Sequence, residues 1–122
     1  SPFASVRHEA AYRLFKAKER PMLQPLLAAA SDPDFRVRLW VAAALGRTGD
    51  NLAMGTIVGL TSDPELLVRY RAAEGLGLLY EGRGRATDPG VINVLLGVIR
   101  EQSWYEATYA LEALRRIDPE RW

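Results

Sequence analysis

A nine-residue frame returns along this chain at a fixed interval: "VRHEAAYRL" from Val6, "VRLWVAAAL" from Val37 and "VRYRAAEGL" from Val68, each 31 residues after the last. Val-Arg recurs at 6–7, 37–38 and 68–69, and leucine at 14, 45 and 76. The same spacing lays "SDP" at 31–33 over "SDP" at 62–64, and Leu26 and Leu27 over Ile57 and Val58. A fourth copy, "EATYALEAL" from Glu106, fits at a spacing of 38, with Leu114 under Leu76 and Ala110 under Ala72. Its extra residues fall in or near "EGRGRATDPG", residues 81–90. A unit of about 31 residues is too small to close a core of its own, so such units survive by stacking.

Each unit reads as two helices. Val37, Val41, Ala44, Leu45 and Thr48 fall at three- and four-residue steps, which makes one buried stripe. The alanines in that stripe let neighbouring helices approach closely. Asp-Pro at 32–33 and 63–64 marks helix starts, with the aspartate able to cap free N–H groups and proline tolerated in the first turn. Gly46 with "RTGD", and the glycines of "EGRGR", read as stops. The partner helices are shorter and more uniformly apolar, as expected of segments covered on two sides. The pattern predicts helices near 3–17, 21–30, 34–47, 51–61, 64–80, 89–101 and 103–117. The fold class is therefore all-α, with helix pairs stacked as a right-handed α-solenoid. One domain covers residues 1–122, its units falling at about 1–30, 31–61, 62–100 and a partial 101–122.

Composition removes several function classes. The chain has no cysteine, so disulfides, thiolate metal sites and cysteine nucleophiles are excluded. The compartment is unfixed by redox chemistry, a cytoplasmic setting being favoured. Apolar runs such as "VINVLLGVI" are about half of the ~20 residues a spanning helix needs, and no signal-peptide pattern is present. Net charge is +1, from 16 basic and 15 acidic residues, so no global field draws the chain to nucleic acid or anionic lipid.

"SDPDFRVRLWVAAALGRTGD" and "SDPELLVRYRAAEGLGLL" resemble HEAT-like repeats of the phycobilisome-lyase type, whose frame is D-P-x-x-x-V-R-x-x-A-A-x-A-L-G-x-I-G-D. The resemblance spans essentially the whole chain. It implies a binding scaffold, some family members assisting bilin attachment to phycobiliproteins. It also implies a ladder in which the aspartate of "DP" bonds the arginine six residues later, here Asp32 with Arg38 and Asp63 with Arg69. On that scheme Arg7 needs a partner at Ser1, and the fourth copy offers Ala107 opposite Glu101. The ladder is then incomplete at both ends, as in a piece of a longer solenoid.

The single histidine, His8, is followed at once by Glu9. The chain is similar in repeat type to deoxyhypusine hydroxylase, whose di-iron centre uses several His-Glu dipeptides. The equivalent places here hold Leu39-Trp40, Tyr70-Arg71 and Thr108-Tyr109, none able to hold a hard or borderline metal. No metal or cofactor is therefore expected. "GRGR" at 82–85 lacks the helix start and lysine of a phosphate loop, and the serines lack a nucleophile elbow. The chain reads as a non-enzyme.

What remains are the positions the frame does not dictate. On the concave face they are Tyr12, Phe35, Leu39, Trp40, Arg47, Tyr70, Arg71, Glu74, Trp104, Tyr105, Tyr109 and Arg116, together with His8 and Glu9. Aromatic rings beside arginine are the usual anchors of protein recognition. The expected function is a scaffold that grips a protein segment, carried mainly by Trp40, Tyr70 and Tyr109. The alternative is an accessory protein holding a flat chromophore or a nucleic-acid strand, with Arg47, Arg71 and Arg116 on carboxylate or phosphate. Rings packed sideways between helices are the competing structural reading of the same residues.

Overall fold

The computed structural model describes residues 3–80, 93, 96–97 and 104–117, and among these the side chains of all but 80 and 104–110. The described residues form six α-helices and one 3-10 turn: α1 Ala4–Lys16, α2 Leu23–Ala29, α3 Phe35–Arg47, the 3-10 turn Asn51–Ala53, α4 Met54–Leu60, α5 Leu66–Tyr80 and α6 Trp104–Ile117. Each lies within a few residues of a segment the repeat predicts. Of the segment near 89–101, residues 93, 96 and 97 are helical, and the rest lies outside the described residues, as does the "GRGR" connector.

α1, α3, α5 and α6 pack side by side in that order, while α2 lies against α3, and α4 against α3 and α5. The frame residues build the core between these two layers. Leu26, Val37, Val41, Leu45, Ile57, Val68, Leu76, Leu79, Leu114 and Ile117 are all fully buried. Each such side chain contributes roughly 2 kcal/mol of burial. The buried alanines Ala42, Ala44, Ala72 and Ala73 keep the layers thin.

Two glycines set the α3–α5 distance. A Cβ placed on Gly46 would sit 2.6 Å from the Cα of Gly75, inside any permitted contact. Gly77 plays the same part toward α6, its Cβ falling 2.6 Å from the Cα of Ala113. Gly46 is thus an interior packing residue of α3, which corrects its reading as a stop. The stop is Gly49, at φ 68, in the left-handed conformation that ends helices.

The starts are also shifted. Asp34 caps α3, its carboxylate accepting from the Arg36 backbone N–H at 2.9 Å, and Asp50 caps the 3-10 turn in the same manner. Asp32 and Asp63 instead form turns ahead of the helices, accepting from the N–H groups of Asp34 and Glu65 at 2.9 Å.

The ladder exists, but its carboxylates cross between units. Arg38 donates from Nε and Nη2 to the two carboxylate oxygens of Asp63, at 2.9 and 3.1 Å. Arg7 does the same to Asp32, at 2.7 and 3.3 Å, so Arg7 has its partner without Ser1. Toward its own "DP", Arg38 donates only to the main-chain carbonyls of Asp32 and Pro33, and Arg69 only to those of Asp63 and Pro64. The expected pairs Asp32–Arg38 and Asp63–Arg69 are therefore carbonyl contacts. Arg38 thus tacks down its own helix start and ties it to the aspartate 25 residues on, a tie that Arg7 repeats toward Asp32. The Arg7 guanidinium holds the Asp32 carboxyl below its ordinary range, and Arg36 pulls that of Asp34 down to about 2.

Candidate functional site

The free positions of α1, α3 and α5 converge on Trp40. Its indole N–H donates to Nε2 of His8 at 3.1 Å. Indole only donates, so the neutral His8 ring carries its own proton on Nδ1. Tyr12 meets the indole edge-on with centroids 4.8 Å apart, and Phe15 lies tilted at 5.5 Å. From the other side the Arg71 guanidinium sits 4.6 Å above the indole, held by Glu74 at 2.8 Å. Lys16 lies over the Tyr12 and Phe15 rings, at 6.0 and 5.8 Å from their centroids. Three helices thus contribute to one aromatic and cationic cluster. Trp40 remains part-exposed, as do His8, Tyr12, Arg71 and Glu74.

The other expected face residues divide by burial. Leu39 and Tyr70 are only 7% exposed, which corrects the expectation that they look outward. They occupy the repeat position of His8, the position that lies against the next helix of the row, as the His8–Trp40 bond shows. Phe35 is part-buried and packs against the core. Arg47 points back to α1, donating to the carbonyl of Phe15 at 2.7 Å and to those of Leu14 and Lys18. It caps a helix end. Arg116 lies 3.7 Å from Glu112 of its own helix. The side chains of Trp104, Tyr105 and Tyr109 lie outside the described residues.

Phe15 and Lys16 were not among the expected residues. Phe15 stands at the repeat position filled by Gly46 and Gly77 in later copies, and a phenylalanine where the frame carries glycine was the available signal.

His8 uses its Nε2 lone pair on Trp40, and Glu9 accepts from Arg13 at 2.9 Å. Among the described residues no group of three or more His, Asp or Glu side chains could hold a metal ion. No described helix is long and apolar enough to cross a membrane.

The helix pairs, the repeating Val-Arg frame and the arginine ladder agree with a sequence match to the family of HEAT repeats, over residues 1–77 and again over 23–115. The chain is a HEAT-repeat protein. The two matches share residues 23–77, a little under two repeat units, as expected when a HEAT frame fits in successive registers. No curated protein matches this HEAT-repeat sequence.

Proposed function

We propose that this HEAT-repeat chain is a non-catalytic scaffold that grips a segment of a partner protein across α1, α3 and α5, with Trp40 as the anchor. HEAT repeats commonly serve as protein-interaction scaffolds. The observation that carries the reading is the part-exposed Trp40 ring, fixed on one flank by Tyr12 and His8 and on the other by Arg71. A ring already held in one rotamer loses little entropy when a ligand covers it, and tryptophan with arginine is the commonest source of binding energy. In this reading residues 1–122 form one right-handed α-solenoid of the phycobilisome-lyase type, and the α1–α3–α5 face is its concave side.

A flat chromophore or a nucleic-acid strand fits less well. Both need cations free to meet carboxylate or phosphate, and Arg47 is committed to main-chain carbonyls while Arg71 is braced by Glu74. The test is affinity capture with the 122-residue chain, mass spectrometry of what is retained, and calorimetry on the strongest partner. Trp40→Ala should weaken that partner by about 2 kcal/mol, roughly 30-fold, with Tyr12→Ala smaller. Unchanged affinity in a folded Trp40→Ala chain overturns the proposal. Binding that collapses between low and moderate salt replaces the protein segment by a nucleic-acid strand.

A further inference from the structure

One side chain between α1 and α3 is not what packing asks for. In the next two units the repeat position of His8 holds Leu39 and Tyr70, both buried against the following helix, so an apolar body is enough there. His8 supplies a hydrogen bond as well, its Nε2 accepting the Trp40 indole N–H at 3.1 Å. Indole can only donate, and a neutral imidazole has a single acceptor nitrogen, so this bond exists in one protonation state of His8 alone. Imidazolium carries N–H on both nitrogens. No change of tautomer and no flip of the ring then offers Trp40 a lone pair. His8 is part-exposed, so protons reach it from solvent.

We propose that protonation of His8 releases the Trp40 indole N–H from α1, so that the ring is fixed near neutral pH and loosened in mild acid. As a control on binding, the switch rests on the reading of Trp40 as the anchor. The surrounding charges leave an imidazolium at this place without a counter-ion. On α1 itself, Arg7 is closed on Asp32, Glu9 accepts from Arg13, and Lys16 lies over the Tyr12 ring. α3 brings Arg36 a turn before Trp40, closed on Asp34. α5 brings Arg71, 4.6 Å above the indole and held by Glu74. Each of these carboxylates is thus engaged by an arginine. The edge of an aromatic ring is the positive part of its quadrupole, so an imidazolium set against the indole N–H is repelled, and Arg71 beyond the ring adds to the repulsion. Loss of one neutral hydrogen bond shifts the ratio of fixed to released ring about fivefold.

Histidine is the side chain that changes charge between about pH 5 and pH 8, and this chain has one histidine. Nuclear magnetic resonance of the 122-residue chain across that range tests the switch. The Trp40 indole N–H is told from those of the other tryptophans by its loss in Trp40→Phe. The expected result is a one-proton transition of that resonance, ending upfield in acid as the bond is lost, while the backbone amides keep their folded pattern. His8→Gln, whose amide oxygen accepts at any pH, should hold the resonance downfield throughout. His8→Leu, the side chain that the second unit carries at this position, should hold it upfield throughout. A resonance that ignores pH in the unaltered chain overturns the inference, and so does one that still titrates in His8→Gln. None of these readouts needs a partner, so they stand or fall apart from the scaffold reading. Affinity for the captured partner should fall about fivefold in acid and stay level in His8→Gln. Level affinity beside a titrating resonance supports the switch and counts against Trp40 as the anchor.

Discussion

Breaking the bond between Arg38 and Asp63 should cost more than any other single polar change in the described structure. The pair is bidentate, at 2.9 and 3.1 Å, with side chains only 15% and 7% exposed. Two charge-assisted hydrogen bonds, each about 1.5–3 kcal/mol, are offset by the desolvation of both ions. Arg38→Met leaves the Asp63 carboxylate nearly covered without its cation and should cost about 2–3 kcal/mol, near 10 °C in melting temperature for a domain of this size. A double-mutant cycle with Asp63→Ala should give a coupling of about 1.5 kcal/mol. The parallel cycle of Arg38→Met with Asp32→Ala should give less than about 0.5 kcal/mol, since Arg38 meets only the main-chain carbonyl of Asp32. Urea denaturation followed by tryptophan fluorescence measures both, with the midpoint moving and the slope constant. Equal couplings, or a larger one to Asp32, would refute the ladder as a tie between units.

Two further outcomes follow from the packing and the charges. Gly46→Ala should destabilise by at least about 2 kcal/mol, because its Cβ meets backbone that cannot swing aside. Gly59→Ala in α4, with open space around it, should be neutral or stabilise by up to about 1 kcal/mol, and thermal melts of the two separate packing from propensity. Below pH 4 the chain should lose stability through Asp32 and Asp34. Their folded carboxyls titrate below the unfolded value of about 4, so their contributions are complete above that pH and drain as it falls, for Asp34 toward about 2. Asp32→Asn should flatten the melting-temperature profile in that window, and an unchanged slope would show that Arg7 does not stabilise the charged carboxylate.

Much of the fold was legible because the frame states the same thing three times. A lone apolar run such as "LQPLLAA" is ambiguous, but its alignment with "MGTIVGL" at 31 residues makes both helical, and they are α2 and α4. Glycine was harder to read. Gly46 and Gly49 stand three residues apart, and only the approach of α5 tells which one packs and which one turns. The candidate site was half legible: composition marked Trp40, Tyr12 and Arg71, and their convergence needed three helices laid side by side. Tyr70 carried the same signal as Trp40 and is buried.

Sequence alone determined the period, the described helices and the frame residues of the core, because hydrophobic phase along a helix is written in spacing of three and four residues. The tertiary structure decided that Arg38 ties to Asp63, that Arg47 serves α1, and which rings stay open. Those outcomes depend on distances between helices. An arginine reaches several angstroms in many directions, so a partner six residues away and one 25 residues away look alike until the helices are packed.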